Sequence, residues 1–221
     1  MPKAPAILKP PTLWQADPQW ASMKLGYSER SMKSDGCMFI CHLALYRLAL
    51  GRDVTAQELD AEFKARAKYE GQWRNYLRPW TSLKGTFDNA VRWHGSCKED
   101  PPPLTQGEHY ALVDWLQRDL NHFAFIKLDF NRAIAGNQNH FVLGYGVDGR
   151  GDVLVMDPAF GLSGTLRATG GQTYYGKRKT EVFYIPAGAT YPTDRFAIWR
   201  YDLCAIQGDY AIKADKTEGE D

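Results

Sequence analysis

The order of patterns along the 221 residues predicts an α+β protein, with helices in the first half and an antiparallel sheet in the second. Three observations lead there. An apolar stretch from Cys37 to Leu50 is bracketed by helix start and stop signals. The hydrophobic period changes after about residue 120 to that of strands. And Asp148-Gly-Arg-Gly151, a strong turn signal, separates two apolar runs, as in a β-hairpin.

Taken in order, the Pro-rich residues 1–11 read as an extended arm and residues 213–221 as a solvated tail, leaving one domain of two lobes over 12–212. Ser34 and Asp35 are N-cap candidates for the helix from Cys37, and Gly51 is its expected C′ residue. That helix is apolar almost all round, which predicts burial at the centre of the fold. Thr55-Ala-Gln-Glu58 matches a capping box and opens a second helix toward Lys68, with Leu59 and Phe63 as its packing stripe. Weaker helical patterns run over 82–94 and 107–120, on either side of the break Lys98-Glu-Asp-Pro-Pro-Pro-Leu104. His122 to Phe130 reads as a strand covered on both sides. His140 to Val147 and Asp152 to Asp157 form the hairpin, and further strands are expected over 180–185 and 196–201.

Composition narrows the function classes. Lys plus Arg number 27 against 26 Asp plus Glu, a net charge of +1, so no electrostatic case exists for a dedicated nucleic-acid or anionic-membrane binder. Hydrophobic residues at 44% and charged residues at 24% are ordinary for a globular chain. Four cysteines in a chain this long make no disulfide framework, and none of their spacings is CxxC. The N-terminus lacks the unbroken apolar stretch of a secretory signal, and no run approaches the roughly 18 apolar residues of a membrane span. The expectation is a cytoplasmic protein, released, if at all, by lysis or a dedicated secretion route.

Chemistry is best placed on four residues. Cys37 follows Asp35-Gly36 at a helix start, where the dipole and free backbone N–H groups favour a thiolate. Gly36 adds no side chain that would keep a substrate backbone away. A cysteine in an apolar helix is more often a small core residue, and Cys41, one turn on, has only that reading. His140 opens a strand after the polar Asn137-Gln-Asn139, an edge that faces a cleft more readily than a core. If the hairpin closes at 148–151, Asp157 falls opposite His140 or within about two residues of it, where a carboxylate can orient an imidazole. Asp-Pro is otherwise a common turn. Gln15 supplies an amide donor for a developing oxyanion, with the Cys37 N–H as a second donor. A metal site on Cys37, Cys41 and His42 is disfavoured, because His42 points about 100° away from Cys41 on the helix and no second cluster accompanies them.

The elements Trp14-Gln-Ala-Asp-Pro-Gln-Trp20, Leu25-Gly26, Ser34-Asp-Gly-Cys37, His140-Phe-Val-Leu-Gly-Tyr-Gly146 and Val155-Met-Asp-Pro158 with Gly161 together resemble the papain-like cysteine peptidases of the double-glycine, bacteriocin-processing type. The likeness is to the peptidase-like branch found as stand-alone domains in bacteria and phages, and it covers roughly residues 12–165. It implies a papain-like fold with a central nucleophile helix, and hydrolysis of a peptide, protein or peptidoglycan-like amide without a cofactor. By the same likeness Cys37 is the nucleophile, His140 the base and acid, Asp157 its orienting partner and Gln15 the oxyanion donor. The bulky Met38-Phe39-Ile40 after the cysteine departs from the small residues usual there, and the expectation is a narrower cleft. The 221 residues include no transporter segment, so the leader-peptide substrate of the best-known relatives is not assumed. Trp73 to Trp80 is either a substrate-facing loop or packing at a helix end. The alternative to an enzyme is a catalytically silent module of the same fold that binds or builds.

Overall fold

Glycines 36 and 51 delimit the helix around which everything else is laid. The computed structural model describes residues 7–66, 85–96, 106–130, 139–159, 161–168, 173–174, 177–178, 181–186 and 194–207. A one-turn helix α1 (Met32–Asp35) leads through Gly36 into α2 (Cys37–Leu50), which ends at Gly51 in the left-handed conformation, φ 60°. Ten consecutive residues of α2, Cys37 to Tyr46, are buried, as an all-round apolar helix requires. The expected N-caps are displaced. Ser34 and Asp35 lie inside α1, whose cap is Ser31, its side chain accepting from the Ser34 N–H. The N-cap of α2 is Gly36 itself, without a side-chain bond.

Helix α3 (Ala56–Arg66) starts as its capping box predicts, with Thr55 Oγ1 accepting from the Glu58 N–H at 3.1 Å. The Glu58 carboxylate turns instead to Arg52, at 2.5 Å. The remainder of that predicted helix, 67–68, lies outside the described residues, as do Trp73 to Trp80, Cys97, the break at 98–104 and the tail.

The helix expected over 82–94 is not one over its described part, 85–94. Thr86–Asn89 form a single 3-10 turn in which Phe87, Asp88 and Asn89 all have positive φ, and Val91–Ser96 form strand β1. Three left-handed residues in succession cannot propagate a right-handed helix. The strand-forming Val91-Arg-Trp93 then pairs with the far end of the chain, a long-range partner that local periodicity does not register.

Helix α4 (Gln106–Arg118) follows, then β2 (His122–Phe130), β3 (Asn139–Val147), β4 (Val153–Asp157), β5 (Leu162–Ala168), the short pair β6 (Thr173–Tyr174) and β7 (Lys177–Arg178), β8 (Glu181–Pro186) and β9 (Asp194–Ile206). The main sheet is antiparallel in the order β1-β9-β2-β3-β4-β5-β8. Strand β8 pairs also with the start of β9, Glu181 facing Ala197, so six strands close on themselves as a barrel. Strand β9 is longer than predicted because it serves three neighbours: β8 at its start, β1 at its end and β2 along most of its length.

Each side of the sheet has its own core. Phe123, Phe125, Phe141, Leu143, Met156 and Cys204 pack with α2. Ala124, Ile126, Leu128, Val142, Val155 and Ile198 pack with Leu112 and Leu116 of α4. The alternation of the two sets along β2 and β3 is why these strands read as apolar on both faces. Within the α2 side, Arg200 Nη2 donates to the buried Asp202 at 2.7 Å, and Ser96 Oγ donates to the same carboxylate. Among the described residues no helix is long and apolar enough to cross a membrane.

Candidate active site

The hairpin register decides what His140 can touch. Leu143 faces Met156, so His140 faces the position of residue 159, and Asp157 lies two residues from it. Residues 142 and 157 face each other in this register, so His140 is the diagonal neighbour of Asp157 across the hairpin. The His140 Nε2–H donates to Asp157 Oδ1 at 2.6 Å. The same Oδ1 accepts the Ala159 N–H at 2.8 Å, which fixes the carboxylate from its own turn. Both groups are buried, His140 at 7% exposed and Asp157 at 1%.

Cys37 reaches the imidazole from the other side. Cys41 Sγ, one turn further along α2, donates to Phe141 O at 3.7 Å, so the first turn of the helix runs against the start of β3. Cys37 is close enough to the imidazole to act on it, being with Asp157 one of the two groups that raise its pKa. With Nε2 committed to Asp157, Nδ1 is the ring nitrogen on the side away from the carboxylate. Cys37 is 9% exposed and is the first residue of its helix, where backbone N–H groups have no intrahelical acceptor. The three side chains therefore form one line: thiol, imidazole, carboxylate.

Electrostatics separate these groups from their neighbours. Burial alone would depress His140, but the hydrogen bonds and charges of Asp157 and Cys37 outweigh it and raise the imidazole from 6.5 to about 10. The Cys41 thiol is pushed well up by burial, and further by the charges of Cys37, Asp157 and Cys204. Cys204 is pushed well up by burial and by Asp202. Both are held as neutral, unreactive thiols.

Gln15 sits between α1, which precedes the Cys37 helix, and the turn that follows β4. Its Nε2 donates to Lys33 O at 2.8 Å, and its backbone N–H donates to Pro158 O at 2.8 Å. The carbonyl of Lys33 can only accept, so it fixes which end of the carboxamide is the donor and leaves a second N–H on that nitrogen.

The structure changes the reason for Gly36. A Cβ there would stand 2.3 Å from Met32 O and 2.6 Å from Met32 Sδ, so the glycine is demanded by the close α1–α2 junction rather than by an approaching substrate. The residues Cys37, Cys41 and His42 do not converge on a common point. The Nδ1–H of His42 donates to Met38 O at 2.8 Å, and the ring lies against Phe125 with centroids 4.2 Å apart. No group of three or more potential metal ligands gathers among the described residues.

Sequence reasoning passed over Trp14 and Met32. Trp14 Nε1 donates to Ala159 O at 3.1 Å, and Met32 forces the glycine before the cysteine. The only sequence signals were their positions, one residue before Gln15 and five before Cys37. No family model matches the sequence, and no curated protein matches it.

Proposed function

We propose that the protein is a cysteine peptidase or amidase of papain-like fold, cutting a peptide, protein or peptidoglycan-like amide bond through an acyl-enzyme. The observation that carries this reading is the continuous line from Cys37 through His140 to Asp157, at the start of a buried helix. The raised imidazole supports it, because a ring that stays protonated beside the nucleophile can act as the acid for the leaving amine.

In this reading the Cys37 thiolate adds to the substrate carbonyl carbon. The carbonyl π electrons move to oxygen, and the oxyanion is received by the Gln15 Nε2–H and the Cys37 N–H. His140 then delivers the Nδ1 proton to the leaving amine as the C–N bond breaks, which leaves a thioester on Cys37. Water, deprotonated by the now neutral Nδ1, adds to the thioester. Collapse releases the acid and restores the thiolate–imidazolium pair. Asp157 holds the Nε2–H throughout and so keeps Nδ1 turned to sulfur. An amine acceptor in place of water would make the same acyl-enzyme a transferase.

Exposure to 4-nitrophenyl acetate, followed by mass spectrometry of the peptide carrying Cys37, tests the proposal. An acetyl thioester on Cys37, absent in Cys37→Ser and formed far more slowly in His140→Ala, is the expected result. Acetylation spread over surface amines with Cys37 untouched would favour a silent binding module instead.

A further inference from the structure

Trp14 stands beside the proposed oxyanion donor with 45% of its surface exposed, and yet it is tied at three points. Its Nε1–H donates to Ala159 O at 3.1 Å, and its own carbonyl accepts from Trp20 Nε1 at 2.9 Å. Its Cβ would stand only 2.8 Å from a Cβ added at Gly161, which has φ +61° and therefore resists a side chain on both counts. The next residue continues the seam, the Gln15 N–H donating to Pro158 O. Ala159 in turn donates to Asp157 Oδ1, the atom that holds His140. Thr12 and Ser163, whose hydroxyls lie 3.3 Å apart, add a further tie between the same two segments. The segment carrying the amide donor and the turn carrying the carboxylate are thus one hydrogen-bonded piece.

An indole left half in water contributes modestly to a core, so packing alone gives a weak account of its directed Nε1–H bond to Ala159 O. We infer that Trp14 is a positioning residue: it locks the Gln15 segment onto the Asp157-Pro158-Ala159 turn, so that the oxyanion donor keeps a fixed place relative to the Cys37–His140 pair. The inference rests on the cysteine-hydrolase reading above. Its physical basis is that donors stabilise an oxyanion only when held in place beforehand, and a displacement of about 1 Å costs on the order of 100-fold in rate.

Two reactions at Cys37 separate positioning from mere stability. Iodoacetamide is displaced at a saturated carbon: the C–S bond forms as iodide leaves, and no oxyanion develops. 4-Nitrophenyl acetate reacts through an oxyanion: sulfur adds to the carbonyl, 4-nitrophenolate is expelled, and an acetyl thioester remains. Both rates are measured on the full chain for wild type, Trp14→Phe, Gln15→Ala and the double variant. Alkylation is expected to stay within about two-fold throughout. Acetylation is expected to fall about 100-fold in Gln15→Ala and about ten-fold in Trp14→Phe. The double variant should be no slower than Gln15→Ala alone, because both changes act through the same donor. Gly161→Ala should reproduce the selective loss from the other side of the contact.

Acetylation of Trp14→Phe at the wild-type rate, or losses that multiply in the double variant, would overturn the inference while leaving the hydrolase reading intact. Equal losses of alkylation and acetylation would overturn it in favour of a general structural role. A wild-type Cys37 no more reactive than a free thiol would remove both.

Discussion

Asp157→Asn keeps the shape of the side chain and removes its charge, so it isolates what the carboxylate does to His140. An asparagine Oδ1 can still accept from His140 Nε2 and from the Ala159 N–H, the two bonds that Asp157 Oδ1 makes at 2.6 and 2.8 Å. What disappears is a negative charge against a buried ring. Burial pulls the imidazole down, and the bonds and charges of Asp157 and Cys37 lift it from 6.5 to about 10. At about 1.4 kcal/mol per pH unit, that rise corresponds to about 5 kcal/mol of preference for the protonated ring, shared between the two partners.

The folded value lies above the unfolded one. The contribution to stability is therefore complete below about pH 6.5, declines as pH rises, and is gone above about pH 10. Without the carboxylate's charge only Cys37 still opposes burial, and the ring should titrate well below its wild-type value. Imidazole NMR with nitrogen-labelled histidine reads this directly, the His140 signals being assigned by their absence in His140→Gln. Urea unfolding across the same range gives the energetic counterpart: wild type should lose stability from neutral to alkaline pH, and Asp157→Asn should lose far less. A wild-type His140 already neutral at about pH 8, or a titration unmoved by Asp157→Asn, would refute the reasoning.

Two further perturbations follow from the helix that carries Cys37. His42 is held down to about 4 by burial, against the lifting effect of its bond to Met38 O. The unfolded chain therefore takes up a proton below pH 6.5 that the folded chain refuses, and stability should fall by about 3 kcal/mol as pH drops from 6.5 to 4. His42→Phe, which keeps a ring against Phe125, should flatten that slope in urea unfolding; an identical slope in the variant would contradict the assignment. Gly36→Ala places a carbon against Met32 O and Sδ, so the α1–α2 junction must open, at about 1–3 kcal/mol of stability, with slower alkylation of Cys37. An unfolding midpoint and an alkylation rate both at wild-type values would show that the junction has room to spare.

Local signals carried much of the fold. The limits of α2, the start of α3, the hairpin turn and the two-sided burial of β2 all depend on neighbours a few residues apart, which a sequence displays directly. The candidate site was legible for a related reason: His140 and Asp157 belong to one hairpin, so turn position and strand period alone place them near each other. Errors gathered where distant residues decide. The strand at Val91–Ser96 exists because β9 pairs with it, and β5 was passed over because the Ser163, Gly164 and Thr165 of its interior carry little apolar period. Closure of the sheet through β8 and β9 joins strands whose pairing no local pattern announces. Gly36 was seen but its cause was misjudged, since Met32 crowds it only after α1 has folded back on α2.

The most direct test of the central claim is the pH dependence of iodoacetamide alkylation, followed by mass spectrometry at Cys37, Cys41 and Cys204 in wild type and in His140→Ala. The account predicts that Cys37 reacts far faster than the other two at and below neutral pH and loses that advantage without His140, while Cys41 and Cys204, held as buried thiols, stay inert until the chain unfolds. A Cys37 as slow as its buried neighbours, or one whose reactivity ignores the loss of His140, would contradict the thiolate–imidazolium pair and leave a silent binding module as the better reading.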